Sequence, residues 1–135
     1  MGKLQEFLTA NKVENAVTTE VDIKPFPFPF VIKTITEAEN KEIRKSCQTV
    51  EYNKKTHQKE VQTDTNAYLT KLVVACTADP CFKDAELQAA YGVHGAEMLV
   101  EKLLTPGQYA KLLQAVNDIN SFDVDMQELV DEAKN

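Results

Sequence analysis

From Asp79 to Asn135 the chain is divided at short intervals by residues that start and stop helices, and this punctuation limits what its C-terminal part can fold into. Asp84 reads as the N-cap of a short helix in which Leu87, Ala90 and Tyr91 face inward, and Gly92 can take the left-handed conformation that closes it. Ala96, Leu99, Val100, Leu103 and Leu104 then recur at i, i+3, i+4, i+7 and i+8, the stripe of an amphipathic helix. Thr105-Pro-Gly-Gln108 follows, with Thr as N-cap, Pro at the first helical position, where its missing N–H does no harm, and Gln at the return position of a capping box. The helix it opens should bury Tyr109, Leu112, Leu113, Val116 and Ile119 and stop at Asn120-Ser121. A last helix is expected from Asp125, with Met126, Leu129, Val130 and Ala133 on one face.

Upstream the same grammar is present in looser form. Asp64 opens a segment whose Tyr68, Leu69, Leu72, Val73 and Cys76 form a stripe, ending ahead of Asp79-Pro80 because the residue before a proline avoids the helical region. Thr36-Glu-Ala-Glu39 is a capping box, and the helix it opens should pass Ile43 and Cys47 and reach about Val50. Residues 51–64 are strongly polar and read as a loop or a weak hairpin. Their Lys54, Lys55, His57 and Lys59 make a basic island that is either a solvated turn or an electrostatic docking point.

The N-terminal part changes style. Leu4, Phe7 and Leu8 stand at i, i+3 and i+4, giving a brief amphipathic helix within residues 1–20, which read as either a docking arm or a mobile arm. Pro25, Pro27 and Pro29 then alternate with Phe26, Phe28 and Phe30, so every second residue lacks a backbone donor and the segment cannot be a central strand. It can be extended or polyproline-like with its rings on one side, and these either pack onto the core or form a patch for a partner. Val31-Ile-Lys-Thr-Ile35 reads as an edge strand. The expected fold is therefore α+β but mainly α: one compact multi-helix domain over residues 1–135 with a small extended or β element near the N-terminus. Its core is expected from helices beginning near Asp64, Asp84, Gly95, Pro106 and Asp125.

At 135 residues and 43% hydrophobic content the chain can bury a core of its own. A net charge of −6 opposes non-specific binding to nucleic acid or to an anionic membrane surface, both of which need a positive field. Three cysteines in a chain without a signal-like apolar start fit a reducing cytoplasm. The residues that chemistry needs are also missing. His57 and His94 stand in no nucleophile or metal pattern, Cys76 and Cys81 lack a zinc-knuckle spacing, and the four glycines are too scattered for a phosphate loop. No catalytic, metal or cofactor residue is expected.

One succession of motifs carries a resemblance. Ala78-Asp-Pro-Cys81, Asp84-Ala-Glu-Leu-Gln-Ala-Ala-Tyr-Gly-Val93, Leu103-Leu-Thr-Pro-Gly-Gln-Tyr109, Val116-Asn-Asp-Ile-Asn120, Phe122-Asp123 and Glu132-Ala-Lys-Asn135 resemble the XkdN-like tail assembly chaperones of tailed phages and prophages of Gram-positive bacteria. The match is close from about Tyr68 to Asn135 and looser over Leu4 to Leu8 and Ile32 to Arg44. The chain departs from the family pattern at Lys24-Pro-Phe26, which replaces an Arg-Phe pair, at Gln108, where an acidic residue is usual, and at Ser121, often Gly. The resemblance implies a non-enzymatic protein of the bacterial host cytoplasm, absent from the mature virion, that binds the tape measure protein and helps tail tube protein assemble around it. It also implies a longer, frameshifted form of the chain as a partner. A structural tail completion or connector protein is the alternative. A chaperone needs apolar surface of its own, and Leu4, Phe7, Leu8, Phe26, Phe28 and Phe30 are the candidates for it. Exposed stripes leave a homo-oligomer open.

Overall fold

The computed structural model, which describes residues 2–11 and 16–120, is built around one helix whose broad apolar face needs cover from several neighbours. In chain order the elements are α1 (Lys3–Ala10), β1 (Thr18–Val21), β2 (Phe30–Lys33), α2 (Glu37–Ser46), β3 (Gln48–Asn53), β4 (Gln58–Thr63), α3 (Thr65–Cys76), β5 (Thr77–Asp79), α4 (Ala85–Ala90), α5 (Ala96–Leu103) and α6 (Pro106–Asn120). Helix α3 is the central one. Asp64 caps it by accepting from the Ala67 N–H at 3.1 Å, and Tyr68, Leu69, Leu72, Val73, Val74 and Cys76 are all buried. Helices α2, α5 and α6 pack around it.

Strands β1, β2 and β5 form an antiparallel sheet in the order β1-β2-β5, and α6 lies against β2 and β1. Strand β2 is thus central, not the edge strand that its sequence suggests. The prolines end at Pro29, so β2 itself keeps every backbone donor and can be paired on both sides. Phe30 and Ile32 of β2 point into the core while Val31 and Lys33 are half-buried.

The mainly helical expectation is overturned. Six helices and five strands in two antiparallel sheets make the described residues 51% helical and 20% strand, a mixed α/β fold. Two stretches account for the difference. Helix α2 stops at Ser46 instead of Val50, and the chain passes directly into a six-residue strand that pairs with β4 from Gln48↔Thr63 to Asn53↔Gln58. Asn53 builds the turn between them, its side-chain oxygen accepting from the Lys55 N–H at 2.9 Å. The third strand of the first sheet, β5, follows α3 without a break.

Most of the helix punctuation stands where the sequence puts it. The Thr36 box is closed in both directions by Glu39, Asp84 accepts from the Leu87 N–H at 3.0 Å, and Gly92 takes φ +66 after α4. Helix α4 differs in what it buries. Leu87 is half-buried, Ala90 and Tyr91 are exposed, and the flanking Phe82 and Val93 enter the core instead. The helix expected from Asp125 lies outside the described residues.

Asn120 ties the layers together. Its Oδ1 accepts from the Ile35 N–H at 3.0 Å, and its Nδ2 donates to the Val116 carbonyl at 2.9 Å and to Cys76 Sγ at 3.6 Å. Burial pushes the Cys76 thiol from 9.0 up to about 11, with Asn120 pulling the other way, and burial likewise raises Tyr68 and Tyr109. The unfolded chain therefore ionises first on the alkaline side. Stability should be complete below pH 9 and decline as pH rises towards 11, with Cys76 alone contributing a loss on the order of 2 kcal/mol. Urea unfolding between pH 8 and 11 should show this decline, and Cys76→Val should make it shallower. Identical slopes for the two proteins would show that the thiol is not linked to folding.

Candidate functional site

Among the described residues no group of three or more His, Cys, Asp or Glu side chains could hold a metal ion. Cys47 and Cys76 are buried, Cys81 is exposed and unpaired by disulfide, and His94 is exposed. His57 sits in the hairpin turn with φ 55, its Nδ1 within 3.0 Å of the Tyr52 hydroxyl. What the surface offers instead is apolar area.

Helix α1 presents the first part of it. Leu4, Phe7 and Leu8 lie on one face, as their spacing requires, and are 68%, 53% and 50% exposed; no residue of α1 is buried. In solution such a face costs free energy of hydration with no compensating contact.

The proline-phenylalanine segment presents the second part, and it divides the three rings that the sequence groups together. Phe30 is buried in the core; Phe26 is half-buried and meets Phe30 edge-on with ring centroids 5.2 Å apart; Phe28 is 78% exposed. The segment bends instead of running straight, so its period of two does not keep the rings on one side. Cis peptide bonds precede Pro25 here and Pro80 across from it. Between the two prolines' segments lies an open groove of about 300 Å³, lined by Phe26, Phe28, Pro80, Leu87, Tyr91 and Leu103 among others. Sequence reasoning missed Tyr91 as a surface residue because it assigned it to an inward stripe, whereas Leu87 and Leu103 pack against the core as their stripes imply and line the groove while half-buried. The available signal was Tyr91 beside Gly92, a helix end where the stripe has no core left to face.

Gln108 anchors this region. Its Oε1 accepts from the Thr105 N–H at 2.9 Å, closing the capping box of α6, while its Nε2 donates to the Lys24 carbonyl at 2.8 Å. A carboxylate could close the box but could not donate to Lys24, which gives the amide at this position a structural reason.

Residues 4–134 match the family model described as phage XkdN-like tail assembly chaperone protein. The chain belongs to that family. The XkdN-like chain is 30% identical over 130 residues to the uncharacterized protein YqbN of Bacillus subtilis strain 168, covering 95% of this chain and 87% of that one. It is 29% identical over 116 residues to the phage-like element PBSX protein XkdN of the same organism, covering 85% and 78%. The fold is similar to the crystal structure of YqbN, with a TM-score of 0.68 and 25% identity over 91% of this chain and 99% of that one. A role in phage tail assembly follows from the membership. No helix among the described residues of the XkdN-like chain is long and apolar enough to cross a membrane.

Replacing Gln108 by Glu tests the anchor. The capping box should survive and the Lys24 bond should be lost, lowering stability by about 0.5–1.5 kcal/mol. Hydrogen exchange should quicken at Phe26, whose N–H donates to the Ile23 carbonyl at 3.0 Å. Unchanged exchange there would show that the segment is held by packing alone.

Proposed function

We propose that this chain is a non-enzymatic tail assembly chaperone that binds the tape measure protein in the host cytoplasm, keeps it soluble, and hands it to assembling tail tube subunits without entering the virion. The observation that carries the reading is the uncovered apolar face of α1, Leu4, Phe7 and Leu8, in a small acidic protein. A client whose apolar stripes aggregate in water can be covered by such a face. The net charge of −6 keeps the resulting complex in solution by like-sign repulsion. Phe28 and the rim ring of Phe26 extend the surface, whereas Phe30 is occupied in the core and is not available to a client. A longer, frameshifted form of the chain would share this surface and bring a further domain to the complex.

The test is co-expression with the tape measure protein of the same tail gene cluster, followed by size-exclusion chromatography with mass detection. The wild-type chain should hold the client in the soluble fraction in a complex with several copies of itself. A triple Leu4→Ser, Phe7→Ser, Leu8→Ser variant should fold normally, since none of the three is buried, yet lose most of the soluble complex. Unchanged recovery with the triple variant removes α1 from the surface. Failure of the wild-type chain to comigrate, together with its presence in purified tails, replaces the reading with a structural tail completion or connector component.

A further inference from the structure

The hairpin β3–β4 is paired only with itself. It forms a sheet of two strands, and no element of the body packs broadly against it. Val50, Tyr52 and Val61 share one face and are 62%, 59% and 57% exposed, with Val50 directly opposite Val61. An isolated two-stranded ribbon is marginal in water; three or more strands with an apolar face are not. Neither strand carries the proline or bulge with which proteins commonly block an open edge.

We propose that the hairpin is a dimerisation element, in which β4 pairs antiparallel with β4 of a second copy about a twofold axis through Val61. The result is a four-stranded sheet in the order β3-β4-β4-β3, carrying a continuous row of valines, Val50, Val61, Val61 and Val50, across one face. Charge selects both the edge and the register. With the axis on Val61, Lys59 stands opposite Thr63, Glu60 opposite Gln62, and Gln58 opposite Asp64 of the second copy. The basic tip, Lys54 and Lys55, then runs towards the end that holds the Asp64 carboxylate. Moving the axis to Glu60 opposes two carboxylates, to Lys59 two ammonium groups, and to Gln62 sets Glu60 against Asp64; each of these is destabilising. Pairing through β3 about Val50 brings Lys54 and Lys55 alongside Ser46 and Lys45 of the second copy, where the last turn of α2 also carries Arg44. That edge is disfavoured by like charge.

Cysteine cross-linking of the full chain distinguishes the arrangements. In a Cys81→Ser background, which removes the exposed native thiol, Val61→Cys and Val50→Cys are oxidised separately at low micromolar concentration. In the proposed sheet the two copies of residue 61 are one strand spacing apart, about 5 Å, and the two copies of residue 50 are three spacings apart, about 14 Å, beyond the roughly 7 Å reach of a disulfide. Val61→Cys should therefore give nearly complete disulfide-linked dimer and Val50→Cys almost none. Sedimentation of the unmodified chain should show a dimer that Val61→Lys, at an exposed position, converts to a folded monomer. Cross-linking through residue 50 alone, through both positions, or through neither overturns the proposal.

Discussion

Helix α3 buries a broad apolar face that no single neighbour can cover, and the rest of the body is arranged by that fact. Six of its twelve residues are buried, from Tyr68 at one end to Cys76 at the other. Covering it takes α2, α5 and α6 together. Its polar groups are matched inside the same layer: the Tyr68 hydroxyl donates to Asn40 of α2, and Thr77 returns its hydroxyl to the Val73 carbonyl at 2.7 Å as the helix becomes strand. Because Asn120 bonds to Cys76, Val116 and the Ile35 amide at once, the end of α3, the end of α6 and the exit from β2 are fixed relative to one another. A change at any of these three points is transmitted to the others through part-buried bonds that are costly to leave unmade.

Elements whose information is local were legible. Thr36, Asp64, Asp84 and Thr105 each cap a helix where their side chains imply, since capping needs only residues within one turn. The stripes of α5 and α6 bury Leu99, Val100, Leu112, Leu113 and Val116 as their period requires. What could not be read was set by residues distant in sequence. Strand β5 exists because the second edge of β2 needs a partner, and nothing in Thr77-Ala-Asp79 announces it. The hairpin was half visible in Thr49-Val50-Glu51-Tyr52 and Glu60-Val61-Gln62-Thr63. Both of its faces are wet, so the contrast between apolar and polar sides that marks a strand is weak.

The candidate surface was legible to the extent that it is exposed for local reasons. Helix α1 is eight residues long, and its apolar face has the spacing that three side chains need. The Pro-Phe repeat misled because a strict alternation implies a straight segment with its rings on one side. In the folded chain the bend returns Phe30 to the core beside Ile32 and leaves Phe28 outside. The groove next to it joins residues from four parts of the chain, from Phe26 to Leu103, so no single window of sequence contains it.

Much of the uncovered apolar area lies on pieces that the core does not need. Helix α1 has no buried residue, and the hairpin makes its main contacts internally, so both can engage and release without disturbing α3. Three side chains burying part of their surface contribute only a few kcal/mol, much of which is offset by lost freedom on binding. A single α1 face would therefore hold a client only weakly and exchange rapidly. Weakness is compatible with chaperoning when the client is long and presents many equivalent stripes, because copies joined in pairs turn the second contact into an intramolecular one and raise the effective affinity by orders of magnitude without any new contact. Under the proposed reading the hairpin would set how many faces arrive together and α1 what each face can hold.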